Sequence, residues 1–353
     1  MKVVYHAPTL HTVYAQRTIY EGYKYAFAAL GHEFLTYTAG MDLAEFLHRH
    51  HPDLFLTQSH FFHRKQLDYA VLARHRRAGM TLVTKVDFWN PVAQGVRRRD
   101  AVSLRDDPAV RRLLDADLLG DAFTHVVEQD DERMAGFREA IGRPWHTVPL
   151  AADERLLQAE PDPAMANPVV FLGTWLPGKR DAFAERLYPL HARGLTILGQ
   201  DWTRAARLRG KAQRVGQYFD VPGLRALQRP AMTPDHEGVL YASADVCVNL
   251  HERHQVCFGG DCNERAFKIP AAGGFQVSDD VACLHSYFGP EEIVIAATIA
   301  EWFERIDHYL GRPEERTAIA AAGRRRVARD HTYRNRAEQL LTMIGAQHGR
   351  PVT

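Results

Sequence analysis

Asn263 to Gly274 reads N-E-R-A-F-K-I-P-A-A-G-G, preceded by the glycine pair Gly259-Gly260 and followed by a short β-like run, Phe275 to Ser278. A glycine pair leading into a helix start lets backbone N–H groups approach an anion closely, and the helix N-terminus adds partial positive charge there. Arg265 falls on the first turn of that helix, where its fork reaches a phosphate oxygen. The stretch therefore suits a diphosphate group. The competing reading is an ordinary loop-to-helix junction with a solvated arginine.

Working outward, the same loop–helix–strand unit recurs. Lys2 to His6 reads as a buried strand, and Tyr20 to Leu30 has helical spacing ending at Gly31. Strands are expected at Glu33–Tyr37, Leu54–Thr57, Thr81–Val86, Thr124–Glu128 and Trp145–Leu150, with helices at Ala44–His50 and Leu67–Ala78. Ala151 to Asn167, with Pro161 and Pro163 and then Pro168, reads as a linker. The alternation restarts with strand Val169–Leu172, helix Asp181–Arg193 and strand Leu195–Leu198. Helix Glu237–Ser243, strand Val246–Leu250 and helix Asn263–Ala272 follow, then strand Ile293–Ile295 and helices Ile299–Leu310, Glu314–Asp330 and Tyr333–Gln347. Strands alternating with helices of this length give parallel sheets covered on both faces.

The expected fold is α/β, two Rossmann-like domains facing across a cleft. Residues 1–150 form the first, 151–167 the linker, 168–330 the second, and 331–353 a last helix. In such sheets ligands sit outside the C-terminal ends of the strands, so two facing domains place one ligand on each side of the cleft. That geometry suits transfer between two substrates.

Composition narrows the classes. The chain has 353 residues, 46% hydrophobic and 25% charged, with a formal net charge of +1, ordinary for a globular protein. Arg97-Arg98-Arg99 and Arg324-Arg325-Arg326 read as solvated faces, so no nucleic-acid partner is expected. The start M-K-V-V-Y-H-A-P is too short and polar for a signal peptide, and no apolar run approaches the roughly 18 residues of a spanning helix. A soluble, cytoplasmic protein is expected. Cys247, Cys257, Cys262 and Cys283 lack the spacing of a zinc site and read as reduced thiols. His48 and His51 are i, i+3 on a helix end and read as a solvated face, so no metal site is expected.

Four stretches, in order, resemble the bacterial GT-B glycosyltransferases, specifically the CgeB-like, spore-maturation type of the group-1 branch. They are V-V-F-L-G-T-W-L-P-G-K-R (Val169–Arg180), Y-A-S-A-D-V-C-V-N-L (Tyr241–Leu250), N-E-R-A-F-K-I-P-A-A-G-G-F-Q-V-S-D-D (Asn263–Asp280), and His308 to Ala337. They cover about half of the chain. The resemblance implies that the second domain holds a nucleotide sugar as donor substrate, with no further cofactor, and that the final helix crosses back to the first domain. It places Gly173 and Thr174 in the turn near the donor, Lys179 or Arg180 against the diphosphate, and Asn263 and Arg265 on donor phosphate or sugar hydroxyls. The loop at Met232, before helix Glu237–Ser243, corresponds to one that contacts the nucleotide base through backbone atoms.

One position departs. The family pattern N-x-R-x-F-E ends in a glutamate expected to hold the ribose hydroxyls, and here that position is Lys268. Lysine is only a donor and cannot replace a bidentate acceptor. Either the ribose is held elsewhere, by Glu264 or Asp261, or Lys268 binds a phosphate, or donor binding is lost.

Glycosyl transfer needs charge stabilised on the leaving diphosphate and an acceptor hydroxyl placed at the anomeric carbon, sometimes with a base. Lys179, Arg180, Arg265 and the amides near Gly259 and Gly260 suit the first task without a metal. A base is expected from the first domain's strand ends: His11, His60 or Asp87. With 19 histidines in the chain, a structural or solvated role competes for each. The acceptor is read as a small molecule, such as an envelope or secondary-metabolite precursor. Rival readings are an epimerase or phosphorylase on the same fold, or a binding protein without turnover.

Overall fold

The computed structural model describes residues 1–10, 15–92, 103–142, 145–227 and 232–348. Among them lie eleven strands: β1 Lys2–His6, β2 Glu33–Tyr37, β3 Leu54–Gln58, β4 Thr81–Lys85, β5 Ala122–His125, β6 His146–Thr147, β7 Asn167–Leu172, β8 Leu195–Leu198, β9 Ala244–Asn249, β10 Gln276–Asp279 and β11 Val294–Ala296. They form two sheets, ordered β2-β1-β3-β4-β5-β6 and β11-β10-β9-β7-β8. Every pairing is parallel. The strand order reverses at β1/β3 in one sheet and β7/β9 in the other, and such reversals open a crevice at the strand C-termini.

The central strands are buried on both faces, which is why they read as apolar runs rather than as alternations. Val3 and Tyr5 pack with Tyr23 and Phe27 of the helix Ala15–Ala29. Val4 points the other way, to Leu47, Phe55, Leu72 and Leu82. In the second sheet Val169 and Phe171 face one cluster and Val170 the opposite one.

The helix Tyr333–His348 leaves the second domain and joins the first core through Tyr333, Ala337, Leu340 and Ile344. Tyr333 fits over Gly22, where an added Cβ would lie 2.1 Å from its ring. The Arg336 guanidinium ties the same helix to the carbonyls of Pro149 and Leu150.

Two contacts clasp the domains across the cleft. Arg133 is fully buried between Asp131 and Asp261, its Nη1 donating to Asp261 Oδ1 at 2.7 Å. Its guanidinium lies over Phe88 of one domain and Phe258 of the other, 4.4 and 4.9 Å from the ring centres. At the second contact, Lys65 Nζ donates to the carbonyls of Gln217 and Tyr218 and to Asp220.

Several elements differ from the sequence expectation. Thr124–Glu128 begins two residues earlier as Ala122–His125, and Trp145–Leu150 shortens to His146–Thr147. The single helix expected at Asp181–Arg193 divides into α, π and 3-10 segments ending at Gly194. Pro189 within it lacks the N–H that a continuous helix needs. Helices Arg204–Phe219 and Arg253–Phe258 have no counterpart in the sequence reading.

Candidate functional site

The second domain's reversal point is organised around one carbonyl. The end of β9 presents Leu250 O to three donors: Lys179 Nζ at 2.6 Å, Arg265 Nη2 at 2.9 Å and Asn263 Nδ2 at 3.1 Å. Arg265 also donates from Nε to Asn249 Oδ1 and from Nη1 to Leu172 O, so its fork ties the ends of β7 and β9 together. Its guanidinium carbon lies 5.0 Å from the centre of the Phe171 ring. Its hydrogen-bond partners are neutral, and the Asp279, Glu237 and Glu252 carboxylates act on it only through space, beside the Lys179 amine.

That crowding shows in the titration. Burial and the neighbouring Arg265 push Lys179 down to about 7 from its ordinary value. Burial also lowers Arg265, against the pull of the Asp279, Glu237 and Glu252 carboxylates. Two cations and few compensating anions make a strong anion site, and an arriving diphosphate would relieve the repulsion. Asn263 Oδ1 is buried there without a partner.

Gly173 makes the approach possible. A Cβ on it would meet Arg265 Nη1 at 2.5 Å and the Phe171 ring at 3.0 Å. Its N–H donates to Leu198 O and its carbonyl accepts from Trp202 Nε1. Thr174 follows, half-buried, in the turn out of β7. Arg180 points to solvent, so of the adjacent cations only Lys179 reaches the strand ends.

His251 continues from β9. Its Nδ1 lies 2.6 Å from Asp279 Oδ1 on the neighbouring strand, and Asp279 also accepts from the His251 amide. Burial lowers the His251 pKa, with Asp279 pulling the other way. The carboxylate fixes the proton on Nδ1, so Nε2, buried and unpartnered, is an acceptor. The strand-end position of His251 was readable in the sequence; its pairing with a residue on another strand was not.

The glycine pair does something other than expected. The Gly259 N–H is spent on Gln255 O as the left-handed cap of the helix Arg253–Phe258. Gly260 lies against the domain clasp, where a Cβ would meet Asp131 Oδ2 at 2.2 Å and Arg133 Nη2 at 2.8 Å. These glycines therefore serve a helix end and an interdomain contact.

Lys268 is likewise engaged. Its Nζ pairs with Glu237 Oε1 at 2.6 Å, both side chains largely buried, and Glu237 also accepts from Tyr241 OH. The two alternative ribose holders are occupied as well. Glu264 accepts from Tyr333 OH at 2.5 Å and is raised by burial to about 7. Asp261 accepts from Arg133 and Gln255. Met232 is exposed just before the Thr233 cap of the helix Pro234–Ser243, which carries Glu237.

On the facing domain, a cavity of about 310 Å³ opens at the β1/β3 reversal, lined by His6, Gln58, Tyr20, Arg17, Glu21 and His63 among others. His6 Nδ1 bonds Thr57 Oγ1, and burial pushes its pKa down to about 4. His60 caps the short helix Phe61–Arg64, its Nδ1 accepting from the Phe62 N–H. Asp87, after β4, accepts from Ser59 Oγ at 3.2 Å. Lys85 lies within electrostatic reach of Asp87, Glu264 and Asp261 across the cleft. His11 lies outside the described residues. Among the described residues no group of three or more His, Cys, Asp and Glu side chains is placed to hold a metal, and no helix is long and apolar enough to cross a membrane.

Comparisons with known proteins bear on this geometry. Residues 180–342 match a family model described as glycosyl transferase-like. No curated protein matches the chain. Sucrose-phosphate synthase from Thermosynechococcus elongatus superposes with a TM-score of 0.61 at 14% identity, covering 99% of each chain. The catalytic domain of starch synthase IV from Arabidopsis thaliana, bound to ADP and acarbose, gives 0.61 at 11%, again over 99% of each. An alpha-glucosyltransferase in complex with UDP gives 0.61 at 11%, over 97% of this chain and 99% of that one. Two parallel Rossmann-like sheets and these whole-length likenesses give the chain the GT-B fold, with a glycosyl transferase-like region over residues 180–342.

Proposed function

We propose that the protein is a glycosyltransferase that binds a nucleotide sugar at the β7/β9 reversal and an acceptor in the cavity at the β1/β3 reversal. The observation that carries this is the convergence of Lys179, Arg265 and Asn263 on the Leu250 carbonyl, which leaves two positive charges at a strand-end crevice. The Lys179 and Arg265 cations neutralise the diphosphate as the bond from the anomeric carbon to its leaving oxygen breaks, without requiring a metal or another cofactor. A new bond forms from that carbon to the acceptor oxygen, whose proton passes to a base of the first domain. Asp87 and His60 are the candidates at the strand ends. His251 Nε2 accepts a donor hydroxyl.

The likeness to folds solved with UDP and ADP makes those nucleotides the first probes. Placement in the CgeB-like branch, and an acceptor that is a small envelope or secondary-metabolite precursor, rest on the quoted motifs. The test is release of UDP or ADP from their glucose conjugates, with water as the slow default acceptor. Release abolished in Lys179→Gln supports the reading. Tight nucleotide binding without release, across donors and acceptors, transfers the protein to the non-catalytic reading.

A further inference from the structure

The helix Arg204–Phe219 is built inside out. Its buried positions are Gly210, Gln213 and Gly216. Leu208, Val215 and Phe219 are instead 66%, 46% and 68% exposed. At about 100° per residue these three fall within roughly 40° of one another, opposite the buried positions. Arg204 and Lys211 are exposed on the same face, Arg209 and Arg214 lie to its sides, Arg207 is held over the Trp175 ring, and the helix carries no acidic residue.

The orientation is fixed by packing. A Cβ on Gly216 would meet Arg225 N at 2.3 Å, so the helix can lie this close only through its glycine side. Gln213 Nε2 donates to Leu227 O on that side. The apolar stripe then runs to the cleft rim: the Tyr218 ring lies 4.8 Å from Phe219 and 5.6 Å from the exposed Phe61 of the facing domain.

We infer that this face docks the protein on an anionic lipid surface. Leu208, Val215 and Phe219 enter the boundary between headgroups and acyl chains, and the flanking cations meet lipid phosphates. Charge complementarity selects this occupant. A second copy of the chain, paired through a two-fold axis, would bring the same cations face to face. A nucleic acid would use the cations and leave the leucine, valine and phenylalanine wet. Docked in this way, the cleft rim at Phe61 and Tyr218 faces the bilayer.

The test is flotation of the full chain with vesicles of phosphatidylcholine alone or with about 30% phosphatidylglycerol. The expected result is partition more than about tenfold greater into the anionic vesicles, falling as salt is raised. Substituting Leu208→Glu, Val215→Glu and Phe219→Glu together abolishes it. Arg204→Gln with Lys211→Gln, a change that removes no packing, lowers it by roughly 25-fold, at about fivefold per cation. No preference of the wild type for anionic vesicles overturns the inference, as does equal partition of wild type and both variants. Self-association or binding to a short RNA, in place of vesicle binding, also overturns it.

Discussion

Lys268 Nζ sits 2.6 Å from Glu237 Oε1, with both side chains nearly shut off from solvent. Where the resembled pattern N-x-R-x-F-E would carry a carboxylate this chain holds a cation, and a carboxylate reaches it from the helix Pro234–Ser243 beside it. The pair sets one acid against one base, with Tyr241 OH on the same carboxylate. Removing one partner leaves the other buried and unpaired, so Lys268→Ala is expected to cost about 3 kcal/mol. Lys268→Glu, which sets two carboxylates together, costs more. Lys268→Met combined with Glu237→Leu recovers most of the loss. Urea unfolding of the four chains checks the order.

Gly173→Ala places a methyl where Arg265 Nη1 and the Phe171 ring now lie. The guanidinium must move off the strand ends, and nucleotide affinity should fall by about tenfold or more with a smaller loss of stability. Calorimetric titration beside a melting curve separates the two. Gly199→Ala is the contrast. Its φ of +120° and the Gly173 carbonyl only 2.2 Å from an added Cβ make it strained whatever the ligand, so stability falls first.

Lys179 ties nucleotide binding to pH. Its folded value near 7 means the free site loses its charge as pH rises above that point. A bound diphosphate holds the proton on, so binding takes up a proton and affinity falls by up to about tenfold per pH unit above 7. Below 7 the ammonium is already present and the dependence flattens. Titration in two buffers of different ionisation enthalpy measures the uptake directly. Lys179→Gln should bind more weakly, with neither the slope nor the uptake.

The alternation of strands and helices was legible because buried parallel strands are apolar runs: Lys2–His6 lies where the sequence places it, and Leu54–Thr57 falls within the strand Leu54–Gln58. The helix Arg204–Phe219 was not legible, since its pattern aims apolar residues outward and glycines inward, the reverse of what periodicity assumes. At the candidate site the resemblance brings in Asn263 and the pair Lys179 and Arg180, and Arg265 announces itself by its place on the first turn of its helix. The choice between Lys179 and Arg180 does not, because only the fold decides which neighbour turns inward. Nor does the sequence reveal that Gly260 makes room for Asp131, or that His251 meets Asp279. Both are contacts between segments far apart in the chain.

Arg133 holds the cleft shut between two buried carboxylates. Arg133→Ala strands Asp131 and Asp261 and is expected to cost about 3–5 kcal/mol. It also removes the guanidinium from between Phe88 and Phe258, so the domains should separate. Small-angle scattering should then show a larger radius of gyration than in the wild type, and an unchanged radius would deny the clasp its role.

The proposed function stands on a nucleoside diphosphate binding at the β7/β9 reversal. The direct measurement is calorimetric titration of UDP and ADP into wild type, Lys179→Gln and Arg265→Ala at pH 6.5 to 7, about where Lys179 carries its proton. Saturable binding of at least one nucleotide to the wild type is expected, weakened by about tenfold or more in each variant, with folding retained by melting curve. Binding of equal strength to all three chains, or none to the wild type, would contradict it.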